Sequence, residues 1–223
     1  MAFPIVQSSV AVNYDGLGAT ASHTGLALPS TVSAGDLLLF VFWTSAAGAQ
    51  TVSFPAGWTE LLDAEDASAT IGTAIAYKTA SGSEGGTTIT VTTSAITLSI
   101  YASYAISNWD GVPEVSAASG TTTADPPSIT PTFDSVGTLW MVGTGAYKSG
   151  SGTITAAPSG YSGLSTYNGV NNDMAVAYKQ TVASSEDPGT FTISVTPTYT
   201  HSFTLAVKGT ANTTSNLFFG SNF

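Results

Sequence analysis

Pro55-Ala56-Gly57-Trp58 returns later in the chain as Pro158-Ser159-Gly160-Tyr161, and Ala74-Ile75-Ala76-Tyr77-Lys78 returns as Ala175-Val176-Ala177-Tyr178-Lys179. Gly35-Asp36-Leu37-Leu38 is echoed by Gly137-Thr138-Leu139-Trp140, in the same order. Each pair is separated by about a hundred residues, so two copies of one pattern fill most of the chain, and internal repetition outranks other fold signals. The copies are expected at residues 1–110 and 111–209, followed by a tail at 210–223. By composition the stretch from Gly120 to Pro131 is the best junction candidate, but the copies begin slightly earlier, and the boundary is set near residue 111, at the turn Trp109-Asp110-Gly111. A linker this short predicts copies that touch or form one continuous sandwich.

Strand patterning dominates both copies. Ile71, Thr73, Ile75 and Tyr77 share one face of an extended segment; Leu98, Ile100, Ala102, Tyr104 and Ile106 share another, and Phe203, Leu205 and Val207 repeat the alternation. Period-two runs rich in β-branched and aromatic residues, broken by Gly, Pro and Ser, indicate half-buried antiparallel strands. No segment carries a capped helical stripe. Leu37 to Trp43 and Leu139 to Val142 are apolar on both faces, as strands covered on both sides are. Either an outer layer packs on them or the two copies press together there. Two Gly/Pro/Ser turns, Ala80 to Gly86 and Ala183 to Gly189, link matching strands. The expected fold is all-β: two homologous antiparallel sandwiches, jelly-roll-like or immunoglobulin-like, packed closely or fused.

The 223 residues include four lysines, no arginine and fourteen acids, for a net charge of −10. Nucleic-acid affinity rests on neutralising phosphates with Lys and Arg, so no nucleic-acid partner is expected, nor an anionic membrane surface. Charged residues make up only 8% of the chain, against roughly 25% in ordinary soluble domains. Such a hydroxyl-rich surface suits a protein that packs against others. Cysteine is absent, which excludes disulfides and thiolate metal sites. The start, Met1-Ala2-Phe3-Pro4-Ile5, lacks the basic and apolar regions of a secretory signal, so assembly in a cytoplasm is expected.

Three groups of residues are candidates for chemistry or ligand contact. His23 and His201 are the only histidines, and neither sits in a nucleophile–base motif; His23 is expected at an exposed strand or loop position. Glu60, Asp63, Glu65 and Asp66 form the densest acidic cluster. It is expected to be a solvated loop, with calcium binding and paired-carboxylate glycosidase chemistry as alternatives. Trp58 and Tyr161, at matching positions, and Trp109 raise the prospect of glycan stacking, against the alternative that they anchor each core beside a turn. No catalytic, cofactor or metal residues are assigned, and no enzyme activity is expected. In the tail, Leu217, Phe218, Phe219 and Phe223 are costly to leave in water. They are candidate partner-binding residues, with folding back onto the chain's own sandwich, or disorder, as alternatives.

The opening Met1 to Ser8, the run Ala34-Gly35-Asp36-Leu37-Leu38-Leu39, Pro55-Ala56-Gly57-Trp58-Thr59-Glu60-Leu61 and the segment Ala74 to Glu84 resemble β-sandwich virion structural proteins of tailed bacteriophages. The likeness is clear over residues 1–110 and looser over the second copy. It implies a non-enzymatic virion protein, expected to decorate the capsid exterior, bind capsid or other virion proteins and assemble as a homo-oligomer, a trimer being the working guess. The alternative it leaves open is a receptor- or glycan-binding module on a tail or fibre.

Overall fold

A computed structural model describes residues 2–45, 48–66, 68, 70–134 and 137–211, and among these every regular element is a β-strand. The first half runs β1 (Ile5–Tyr14), β2 (Thr20–Ala27), β3 (Leu37–Ser45), β4 (Val52–Ser53), β5 (Thr59–Glu65), β6 (Ile71–Thr79) and β7 (Thr88–Ser107). The second half runs β8 (Glu114–Gly120), β9 (Gly137–Tyr147), β10 (Ile154–Ala156), β11 (Ser162–Asn168), β12 (Asn172–Val182), β13 (Thr192–Ile193) and β14 (Tyr199–Lys208).

Each half builds an antiparallel sheet of the same order, β1-β7-β3-β6-β5 in the first and β8-β14-β9-β12-β11 in the second. The repeat in sequence is therefore a repeat of topology. Local devices repeat with it. Trp58 N–H donates to Pro55 O at 3.3 Å and Tyr161 N–H to Pro158 O at 3.2 Å. Gly57 and Gly160 make those turns at φ of 88° and 81°, where a side chain would be strained. Lys78 pairs with Glu84 at 2.8 Å, and Lys179 with Glu186 at 2.6 Å.

An outer layer covers each sheet. In the first half β2 and β4 pair with the early part of β7, while the later part of β7 pairs with β1 and β3. One 20-residue strand thus serves two layers, which is how sandwich corners turn. At the changeover the buried Thr97 hydroxyl accepts the Ser45 N–H at 3.0 Å and donates to Ser45 O at 2.9 Å, taking the place of ladder bonds. In the second half β10 pairs with β13, and the stretch around residues 124–129 joins the same layer through bridges from Ala124 to Phe191 and from Ile129 to Glu186.

The two five-strand sheets then pack face to face. On β3, Leu37, Leu39, Val41 and Trp43 enter the interior shared with Leu139, Met141, Met174, Val176, Phe203 and Leu205. Leu38, Phe40 and Phe42 point the other way, against Leu26, Val52 and Val91 of the outer layer. The two-faced apolar runs have both proposed causes at once: an outer layer on one side and the other copy on the other. Across the shared interior β1 lies against β11 and β5 against β8. Because β1 matches β8 and β5 matches β11, the halves meet through the same surface in swapped roles, as the subunits of a two-fold dimer do.

Candidate functional site

The carboxylate cluster is not a loop. Glu60, Asp63 and Glu65 lie on edge strand β5, and Asp66, 5% exposed, follows it. Asp63 accepts the N–H of Val52 at 2.9 Å and Glu65 that of Gln50 at 2.7 Å, so the edge strand clamps the short outer strand β4 through side chains. Asp66 accepts the N–H groups of Ser68, Thr70 and Ile71 at 2.7 to 2.8 Å and closes the turn into β6. Burial raises the carboxyls of Glu60, Asp63 and Glu65 above their usual range; the Val52 and Gln50 N–H groups pull Asp63 and Glu65 back, and neighbouring acids add to the rise at Glu60 and Glu65. Among the described residues no three His, Asp or Glu side chains converge as a metal ion requires. Asp63, Glu65 and Asp66 are backbone clamps, where the sequence pointed to a solvated loop, and Glu60 is exposed on the edge strand.

One histidine also differs from expectation. His23 is fully buried rather than exposed. Its Nδ1 lies 2.5 Å from Asp15 Oδ2, the same oxygen that accepts the Ser99 hydroxyl at 2.7 Å, and its ring meets Phe42 edge-on at 5.2 Å. Hydroxyl and imidazole both address the carboxylate, whereas a nucleophile needs the imidazole between the two. His201 Nδ1 lies 2.9 Å from Thr73 Oγ1 in the other half, deep in the shared interior. Burial holds its imidazole down to about 4, against a weaker upward pull from Asp66. A second buried pair, Lys148 and Asp173, meets at 2.6 Å with both side chains shielded from solvent. Lys148 Nζ also donates to Gly169 O at 2.9 Å, which ties down the turn between β11 and β12.

Trp58 and Tyr161 are half-buried in the outer cores of their own halves, so they are not brought together. Trp58 packs on Phe40 and Phe54; Tyr161 donates to Glu186 at 3.2 Å beneath the Lys179 ammonium. Trp109 donates its indole N–H to Gly35 O at 2.8 Å and lies edge-on to Tyr77. Leu217, Phe218, Phe219 and Phe223 lie outside the described residues.

The feature that the sequence did not disclose is a cavity of about 210 Å³ where the two halves meet. Tyr14, Trp43 and Ile100 come to it from the first half, and Tyr167, Val170 and Asn172 from the second. Tyr14 and Tyr167 stack across the junction at 5.9 Å. Trp43 Nε1 and Asn172 Oδ1 are buried and have no hydrogen-bond partner. The matching place with the halves exchanged is a hollow of about 170 Å³ lined by Asp66, Ser119, Gly120 and Tyr199. It lacks the indole, because position 145, the counterpart of Trp43, is glycine. A Cβ on Gly145 would fall inside the Trp43 ring. Comparison with protein-family models, with curated proteins and with solved structures returns no match to this chain.

Proposed function

We propose that this chain is a non-enzymatic structural protein of a tailed-phage virion, decorating the head exterior. The observation that carries the reading is where the phage-like motifs sit. Gly35 and Asp36 turn into β3, Pro55 to Trp58 form a turn over the outer core, and Lys78 pairs with Glu84. They are scaffold residues, and most recur in the second half, so what the chain shares with such virion proteins is a building block. The charge of −10, without arginine, suits a partner of capsid protein that must not compete for packaged DNA.

The same reading gives the molecule an orientation. Ile5, Val112 and Val182 are 44%, 58% and 59% exposed, and the β-register gathers them at the end of the sandwich where β3 and β9 begin and the chain reaches residue 211. This apolar end faces the shell, with a trimer on the lattice as the natural assembly, and the aromatic cavity lies at the far end. The alternative, a receptor- or glycan-binding module on a tail or fibre, is favoured by that cavity. Quantitative mass spectrometry of purified particles separates the two. Hundreds of copies in the head fraction, lost on Val112→Asp with Val182→Asp, support decoration; a few copies confined to tails contradict it. Deleting residues 212–223 tests the tail separately: unchanged occupancy removes Leu217, Phe218, Phe219 and Phe223 from the contact.

A further inference from the structure

We infer that the cavity between the halves is a binding site for one neutral pyranose unit, a site separate from Trp58, Trp109 and Tyr161 and independent of the protein's place in a particle. A concave, mostly apolar pocket with a few converging polar groups is the usual form of a small-molecule site. At about 210 Å³ it is smaller than the roughly 300 Å³ at which drug-sized pockets begin, so it suits a single ring.

The lining sets the chemistry of that ring. Among the described residues no charged side chain lines the cavity; the nearby Lys148 is spent on Asp173 and Gly169 O. Its occupant is therefore neutral. Tyr14, Trp43 and Tyr167 give it an aromatic lining, which suits the C–H side of a sugar. The Trp43 indole N–H needs an acceptor and the Asn172 amide oxygen needs a donor, and a hydroxyl serves as either. Buried polar groups left unpaired are rare enough to require a reason. A sugar hydroxyl pairing with each supplies one.

The cavity is also prepared in advance. Its second-half wall is the turn between β11 and β12, where Gly169 N–H donates to Asn172 O and Lys148 N–H to Asn171 O, both at 2.9 Å. Val170, 70% exposed, stands at the mouth. Two more exposed apolar residues, Leu17 at 46% and Ile96 at 65%, follow Tyr14 and precede Leu98 by a few positions, which gives this end of the sandwich a surface for the rest of a glycan.

The test uses the full chain and titrates glucose, galactose, mannose and N-acetylglucosamine one at a time, following the Trp43 indole N–H by NMR. Saturable movement of that resonance in the millimolar range with at least one sugar is expected. Asn172→Leu weakens it about tenfold, the usual effect of one lost buried hydrogen bond, and Val170→Trp, at an exposed position, closes the mouth and weakens it as well. The inference is overturned if no sugar moves the resonance and a crystal structure shows only water in the cavity. It is overturned equally if neither folded variant alters binding, or if glucuronate, glucosamine or indole binds as tightly as the neutral sugars. None of these outcomes bears on head occupancy, so the decoration reading stands or falls separately.

Discussion

Trp43 occupies space on both sides of the junction, and Gly145 is what permits it. Where a symmetric pair of halves would bring two like residues together, this chain sets the largest side chain against none at all. The neighbouring position shows the same exchange: Val41 beside Ala102 in the first half corresponds to Gly143 beside Phe203 in the second, and a Cβ on Gly143 would strike the Phe203 ring. We predict that Gly145→Ala costs upwards of about 1–3 kcal/mol by overpacking and Trp43→Ala about 3–5 kcal/mol by cavity formation. The double variant should lose less than the sum, because the two changes share one site; urea denaturation measures all three. His201 gives a pH-dependent counterpart. Its folded value of about 4 lies below the ordinary 6.5, so the unfolded chain binds more protons between these values and stability rises with pH there. The contribution is whole above pH 6.5 and about 3 kcal/mol is lost as pH falls through 4. Comparing wild type with His201→Gln across that window isolates it from Glu60, Asp63 and Glu65, whose raised values act in the opposite sense.

Among the elements, β3 shows why much of the fold could be read directly. A strand covered on both faces has no polar alternation, and Leu37 to Trp43 has none. Turn residues such as Gly57 and Gly160 are legible for a similar reason, since only glycine takes that backbone without strain. The acidic strand β5 was misread because Asp63 and Glu65 accept N–H groups from residues 50 and 52, a pairing that no local pattern encodes. His23 was misread likewise: its burial depends on Asp15 and Ser99, which come from two other segments. The cavity was illegible altogether, since Tyr14, Trp43, Tyr167 and Asn172 meet only after two sheets dock. The buried ion pair that steadies its rim gives a test at this scale. Burial raises the Asp173 carboxyl and Lys148 pulls it back, so Lys148→Met leaves an acid buried without its counterion and should cost about 3–5 kcal/mol. Lys148→Met with Asp173→Asn removes the charge problem and should recover most of that loss, as thermal unfolding at neutral pH would show.

At the scale of the whole molecule, two copies of one topology share a single interior, each also carrying an outer core of its own. Contacts such as Val12 N–H to Ser165 Oγ at 2.9 Å and His201 to Thr73 join the halves by hydrogen bonds as well as by packing. Such a molecule is a single block with two distinct ends, one apolar and close to residue 211, the other hollowed by the cavity. The asymmetry at Trp43 gives only one of the two equivalent hollows an indole.

Hydrogen exchange read by mass spectrometry on β3 and β9, in the wild type and in Gly145→Ala, addresses the shared interior most directly. One common interior requires the two strands to open together, so both should exchange at one slow rate and the substitution in the second half should accelerate both to the same degree. Accelerated exchange in β9 with β3 still fully protected would mean that the halves are independent domains, and would contradict the account.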